Sequence, residues 1–99
     1  MTAAERALLD VDIARYIEHL QHERQYSNHT LAAYRRDLTT FTASLDVGRW
    51  NAVRAAHVRS HVSALHRRGA ATRSIQRALS CIRSFLAHLG RIGSVEANA

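Results

Sequence analysis

The chain has 99 residues, with 14 Lys+Arg against 8 Asp+Glu, seven His, one Cys, no Pro and a formal net charge of +6. That length suits one domain, no apolar run approaches the ~20 residues that cross a bilayer, and a lone Cys81 forms no internal disulfide, which fits a reducing cytosol. All the cations are arginine and they are badly mixed: residues 1–46 carry five Arg against seven acids, residues 47–99 nine Arg against Glu96 alone, so the second half calls for a polyanionic partner.

Residues 1–9 read as a flexible tail without an apolar signal core. A first helix is expected from Asp10 or Asp12, either of which can cap it, with Ile13, Tyr16, Ile17 and Leu20 on one stripe. Ser27 is the expected N-cap of a second helix, whose Leu31, Tyr34, Leu38, Phe41 and Leu45 keep three-and-four spacing until Asp46 and Gly48. A connector over 49–53 holds the single Trp50, expected as a lid on the core. The third helix fits 54–68 with Val58, Val62 and Leu65 inward. Thr72 is the expected cap of a fourth, running to about Leu89 with Ile75, Leu79, Ile82, Phe85, Leu86 and Leu89 inward. Gly48, Gly69 and Gly90 each follow a helical pattern, where a C′ residue takes positive φ. Nothing alternates with period two, so the expected fold is all-α, a compact bundle of about four helices over 10–92, with 93–99 opening a linker.

Arg73, Gln76, Arg77, Ser80, Arg83 and Ser84 share the outer side of the fourth helix, and no acid occurs from 47 to 95. Solvated faces usually mix signs. An acid-free row of long donors on a rod of helical width suits the major groove, where Arg reaches guanine and Gln reaches adenine. On the second helix, Ser27, Asn28 and Thr30 lie beside unbonded N–H groups that would suit a phosphate, with Arg35 and Arg36 one turn on. Ordinary capping, with Arg36 paired to the neighbouring Asp37, explains that segment equally well.

The pairs His19/His22 and His57/His61 share helical spacing but lack a third ligand, so neither a metal nor another cofactor is expected, and the histidines read as surface groups. Cys81, Tyr16, Tyr26 and Tyr34 read as packing residues. No converging cations surround a tyrosine and no carboxylates pair, so no active site is expected.

Two runs carry a resemblance. Residues 23–38 resemble the ER-x-x-S-x-x-T-x-x-x-Y-x-R-D-L segment of tyrosine recombinases. Residues 67–85 resemble their RRG-x-x-x-x-S-I-x-R-x-L-S-A-I-R-S-F segment, with Cys81 where relatives often carry Ala. Both are similar to the N-terminal core-binding domain of XerC/XerD-type recombinases, and Trp50 favours the XerC branch. The resemblance implies a SAM-like integrase fold forming half of a clamp on double-stranded DNA at a recombination site, with helices 2 and 4 in the major groove. Carried across residue by residue, it points to Ser27, Asn28, Thr30, Arg35 and Arg36, then Arg67, Arg68, Arg73, Ser74, Gln76, Arg77, Ser80 and Arg83. The family's catalytic residues belong to a C-terminal domain outside these 99 residues, so the resemblance implies a fragment that binds DNA and catalyses nothing. Through the full-length protein it implies a XerD-like partner in a heterotetramer, chromosome-dimer resolution, and a cytoplasmic location without membrane contact. The competing readings are a phage or transposon integrase domain and a free-standing helical adaptor that docks on an acidic protein.

Overall fold

The computed structural model describes residues 2–92, which hold four α-helices, one short 3-10 turn and no strand. The first helix, α1 (Ala3–Glu23), starts well ahead of Asp10, and residues 3–9, expected as a tail, form its first turns. The cause is a capping box at the start of the chain: the Glu5 amide donates to the Thr2 hydroxyl at 3.1 Å, and the Thr2 amide donates to the Glu5 carboxylate at 2.9 Å. Leu9 consequently enters the core. Asp12, offered as a cap, lies mid-helix and accepts the indole N–H of Trp50 at 3.0 Å.

After α1, Gln25 adopts φ 52°, the left-handed conformation that usually falls to glycine, and turns the chain toward α2 (Asn28–Ser44). Ser27 caps α2 as expected, its Oγ accepting from the Thr30 amide at 3.2 Å. The helix ends at Ser44, before Asp46 and Gly48, because Leu45 turns extended and buries its side chain. The 3-10 turn Trp50–Ala52 leads into α3 (Ala55–Arg67). Gly69 stops α3 at φ 80°, with its amide bonded to His66 O and the Ala70 amide to Leu65 O. That double bond pattern is a Schellman motif. The fourth helix, α4 (Thr72–Arg91), has Ala71 at its N-cap, so Thr72 is the first helical residue and not the cap. Gly90 lies inside α4, and neither it nor Gly48 has positive φ, so of the three spaced glycines Gly69 alone plays the expected part.

The main core joins α1, α2, α4 and the connector. Leu38, Phe41, Ile82 and Phe85 are fully buried there, each worth roughly 1.5–3 kcal/mol over the exposed state. Trp50 packs edge-on to Phe85 at 4.9 Å, and Tyr16 meets the same ring at 5.2 Å, so the lid reading of Trp50 holds. The third helix is more peripheral than its pattern predicts. Val58, Val62 and Leu65 are half-buried, and its buried residue is His61, whose ring stands against Phe41 at 5.3 Å.

Candidate nucleic-acid interface

Three observations set the register of α2 against α4. Cys81 Sγ lies 3.8 Å from Tyr34 O, Arg77 reaches Asp37, and Thr40 shares a small cavity of about 120 Å³ with Ser74. As the α2 number rises the α4 number falls, so the two helices run antiparallel and expose a common seam.

Along α4, the buried residues Ile75, Ala78, Cys81, Ile82, Phe85 and Leu89 leave one solvent side free. Arg73, Gln76, Arg77, Ser80, Arg83 and Ser84 are all exposed on it, and Ser74 is half-buried at its edge. At about 100° per residue the row divides. Arg73, Arg77, Ser80 and Ser84 lie toward the α2 seam. Gln76 and Arg83 turn toward α3, where Arg83 lines an open depression with Val58, Val62, Leu79 and Leu86. Arg67 and Arg68 are exposed at the end of α3, on the turn that leads into α4.

The α2 candidates do not form one group. Ser27 and Asn28 are exposed and Thr30 half-buried at the helix start, where the Ser27 hydroxyl also donates to the Thr30 hydroxyl at 3.0 Å. Arg36 lies about 100° from Asp37, facing directly away from the core, whereas Arg35 lies about 160° away on the flank remote from α4. Both are exposed, Arg36 on the outer side of α2 and Arg35 on the flank turned away from the seam.

One partner was missed by sequence reasoning. Asp37 does not pair with its neighbour Arg36; its carboxylate accepts from Arg77 across the seam, Nε to Oδ2 at 2.9 Å and Nη2 to Oδ1 at 3.0 Å. The Asp37 side chain is 10 % exposed and that of Arg77 is 40 % exposed. This bidentate bond raises the Arg77 pKa above its ordinary value, so the guanidinium stays charged at any accessible pH. No local pattern signals a pair 40 residues apart; only the placing of Asp37 on the seam side of α2 bears on it.

The histidines also differ from the surface reading. His57 accepts the Arg54 amide at 2.8 Å through Nδ1, which caps α3, and its Nε2 lies 3.4 Å from Asp46. His61 is buried, and desolvation followed by the nearby Arg68 charge lowers its pKa. His88 of α4 lies 4.6 Å from His19 of α1 and 5.0 Å from Tyr16; desolvation, then the His19 and Arg91 charges, lower its pKa. Burial pushes the Tyr16 phenol and the Cys81 thiol up to about 12, which suits packing residues. Among the described residues no three His, Cys, Asp or Glu side chains gather to hold a metal, and no helix is long and apolar enough to cross a membrane.

The comparisons with known proteins agree on one family. Residues 13–93 match the model of the phage integrase N-terminal SAM-like domain. Similar curated proteins are each named tyrosine recombinase XerC. That of Pseudomonas fluorescens is 42 % identical over 81 residues, covering 79 % of this chain and 27 % of the relative. That of Pseudomonas syringae pv. tomato is 43 % identical over 81 residues, with the same coverage. That of Azotobacter vinelandii is 38 % identical over 88 residues, covering 86 % of this chain and 29 % of the relative. The chain thus spans less than a third of the length of these relatives. No solved structure matches it significantly.

Proposed function

The chain belongs to the phage integrase N-terminal SAM-like domain family, and from that membership we propose that it is the DNA-binding half-clamp of a XerC-type recombinase. What carries the reading is the exposed, acid-free face of α4, with Arg73, Arg77 and Arg83 along it, beside a second helix that adds Arg36. Such a face supplies phosphate contacts along one groove edge and base contacts within it. Arg73, Gln76, Arg77 and Arg83 are the candidates for bases; Ser27, Asn28, Thr30, Arg36, Arg67, Arg68, Ser74 and Ser80 suit phosphates; Arg35 makes the least central contact.

By this reading the fragment binds duplex DNA at a recombination site and catalyses nothing alone. The parent cuts and rejoins strands in the cytoplasm, with a XerD-like partner in a heterotetramer, to resolve chromosome dimers. Residues 93–99, expected to open the linker, lie outside the described residues.

Titration with duplex DNA of random sequence at rising salt tests the proposal. A log–log slope of about −4 to −6 is expected for roughly five or six phosphate contacts. Replacing Arg73 and Arg77 together by Ala should remove most of the affinity for a preferred site. No binding at low salt would overturn the reading and favour the protein-docking adaptor.

A further inference from the structure

We propose that Asp37 is a positioning residue for base reading: it grips the inner edge of the Arg77 guanidinium and so presents the outer edge to a guanine. The inference rests on the DNA-binding reading above and adds to it a named reader, its buttress and the base it recognises.

The geometry is specific about which edge is used. Asp37 occupies Nε and one Nη2 hydrogen, leaving Nη1 and the other Nη2 hydrogen for an outside acceptor. That remaining end-on pair has the spacing that meets O6 and N7 of guanine in the major groove. Exposure runs the same way, from a carboxylate at 10 % to a guanidinium at 40 %. A free arginine loses its rotamer freedom on reaching a base, whereas Arg77 is already held by two bonds, and that preorganisation favours a fixed base contact over adaptable phosphate contact. Among the described residues, Arg77 is the only α4 arginine with a carboxylate partner. Fastening α2 to α4 would not by itself call for this arrangement, since an apolar pair of similar volume holds helices together as well as a buried ion pair or better.

The test begins by selecting a preferred site from randomised duplexes with the 99-residue chain, then measuring Kd on that site and on versions with each guanine replaced. One guanine should be worth on the order of tenfold to the unaltered chain. Arg77→Lys keeps the charge but not the fork, and should lose that preference while its salt slope is unchanged. Asp37→Asn should lose the same preference with Arg77 still present, and combining the two should cause no further loss of discrimination. Should Asp37→Asn fail to fold, Asp37→Glu replaces it: it keeps the charge, shifts the guanidinium outward, and should weaken the same preference. Either Asp37 variant retaining the full guanine preference overturns the proposal, as does Arg77→Lys retaining it. A chain that binds duplexes but selects no guanine overturns this inference and leaves DNA binding standing; one that binds no duplex overturns the reading beneath both.

Discussion

Cutting the Asp37–Arg77 pair from one side should cost more than cutting it from the other. Arg77→Met keeps the length of the aliphatic stem but leaves a carboxylate at 10 % exposure without its two donors. Stranding a buried charge costs about 3–5 kcal/mol when burial is complete. Here Arg77 already lies 40 % in solvent, and water can enter the space it leaves, so about 2–3 kcal/mol is the reasonable figure. Asp37→Asn instead releases a guanidinium that can swing fully into water, and the amide still accepts one bond, so about 1 kcal/mol is expected. For a domain of this size each kcal/mol shifts Tm by roughly 4–8 °C. Thermal unfolding followed by circular dichroism at pH 7 should therefore show Arg77→Met down by about 10–20 °C and Asp37→Asn by about 5 °C. Equal losses, or a larger loss for Asp37→Asn, would refute the argument that the carboxylate is the buried partner.

The remaining predictions concern pH, backbone and thiol chemistry. His61 faces Arg68, Asp37 and the Phe41 ring, and His88 faces His19 and Tyr16 from α1 and Arg91 from its own helix. Both pKa values are lowered from 6.5, so the unfolded chain binds more protons and stability rises with pH. The loss should begin as pH falls through about 6.5 and continue to the lower folded values, with a slope of at most about 1.4 kcal/mol per pH unit per histidine. Urea midpoints measured from pH 7.5 to 5 should show this, and His88→Gln should flatten the curve; an unchanged curve would contradict the packing given for His88. Gln25→Gly should gain about 0.5–1 kcal/mol by relieving φ 52°, while Gly69→Ala at φ 80° should lose about 1–2 kcal/mol, although nothing crowds its Cβ. Cys81, buried with its thiol pushed up to about 12, should react with a disulfide reagent at pH 8 only as fast as the domain opens; immediate reaction would disprove its burial.

Helical periodicity sufficed for the parts of this fold that depend on it. The stripes of α1 and α2 fall where their spacing puts them, and that of α4 does so at Ile75, Ile82, Phe85 and Leu89. Leu79 and Leu86, expected inward, stay half-buried toward α3, and Ala78 and Cys81 are buried instead. Ser27 caps α2 because its role depends on only three residues of local sequence. The start of α1 was legible too, since Thr2 and Glu5 spell a capping box, but the later Asp10 and Asp12 competed with it as caps. What a single helix cannot disclose is which neighbour meets its flanks. On α3, His61 takes the buried slot with its ring against Phe41, a contact that three half-buried aliphatic residues at helical spacing do not announce. Arg77 read as one member of an exposed row because its carboxylate lies 40 residues away. The candidate interface was visible as charge pattern; its division into seam-facing, α3-facing and remote residues was not, since that depends on how the helices are set side by side.

The tether between Asp37 and Arg77 also divides the surface by how freely it can change. Arg73, Gln76, Ser80, Arg83 and Ser84 are exposed and stand clear of the buried stripe of α4, so substitutions there come at little expense to the fold. Position 77 has no such liberty, because any replacement also determines the fate of a carboxylate on another helix. A lineage or an engineer adapting this domain to a new target could revise the free positions one at a time. Residue 77 would have to be exchanged together with residue 37, so two coding changes 40 positions apart would behave as one inherited choice.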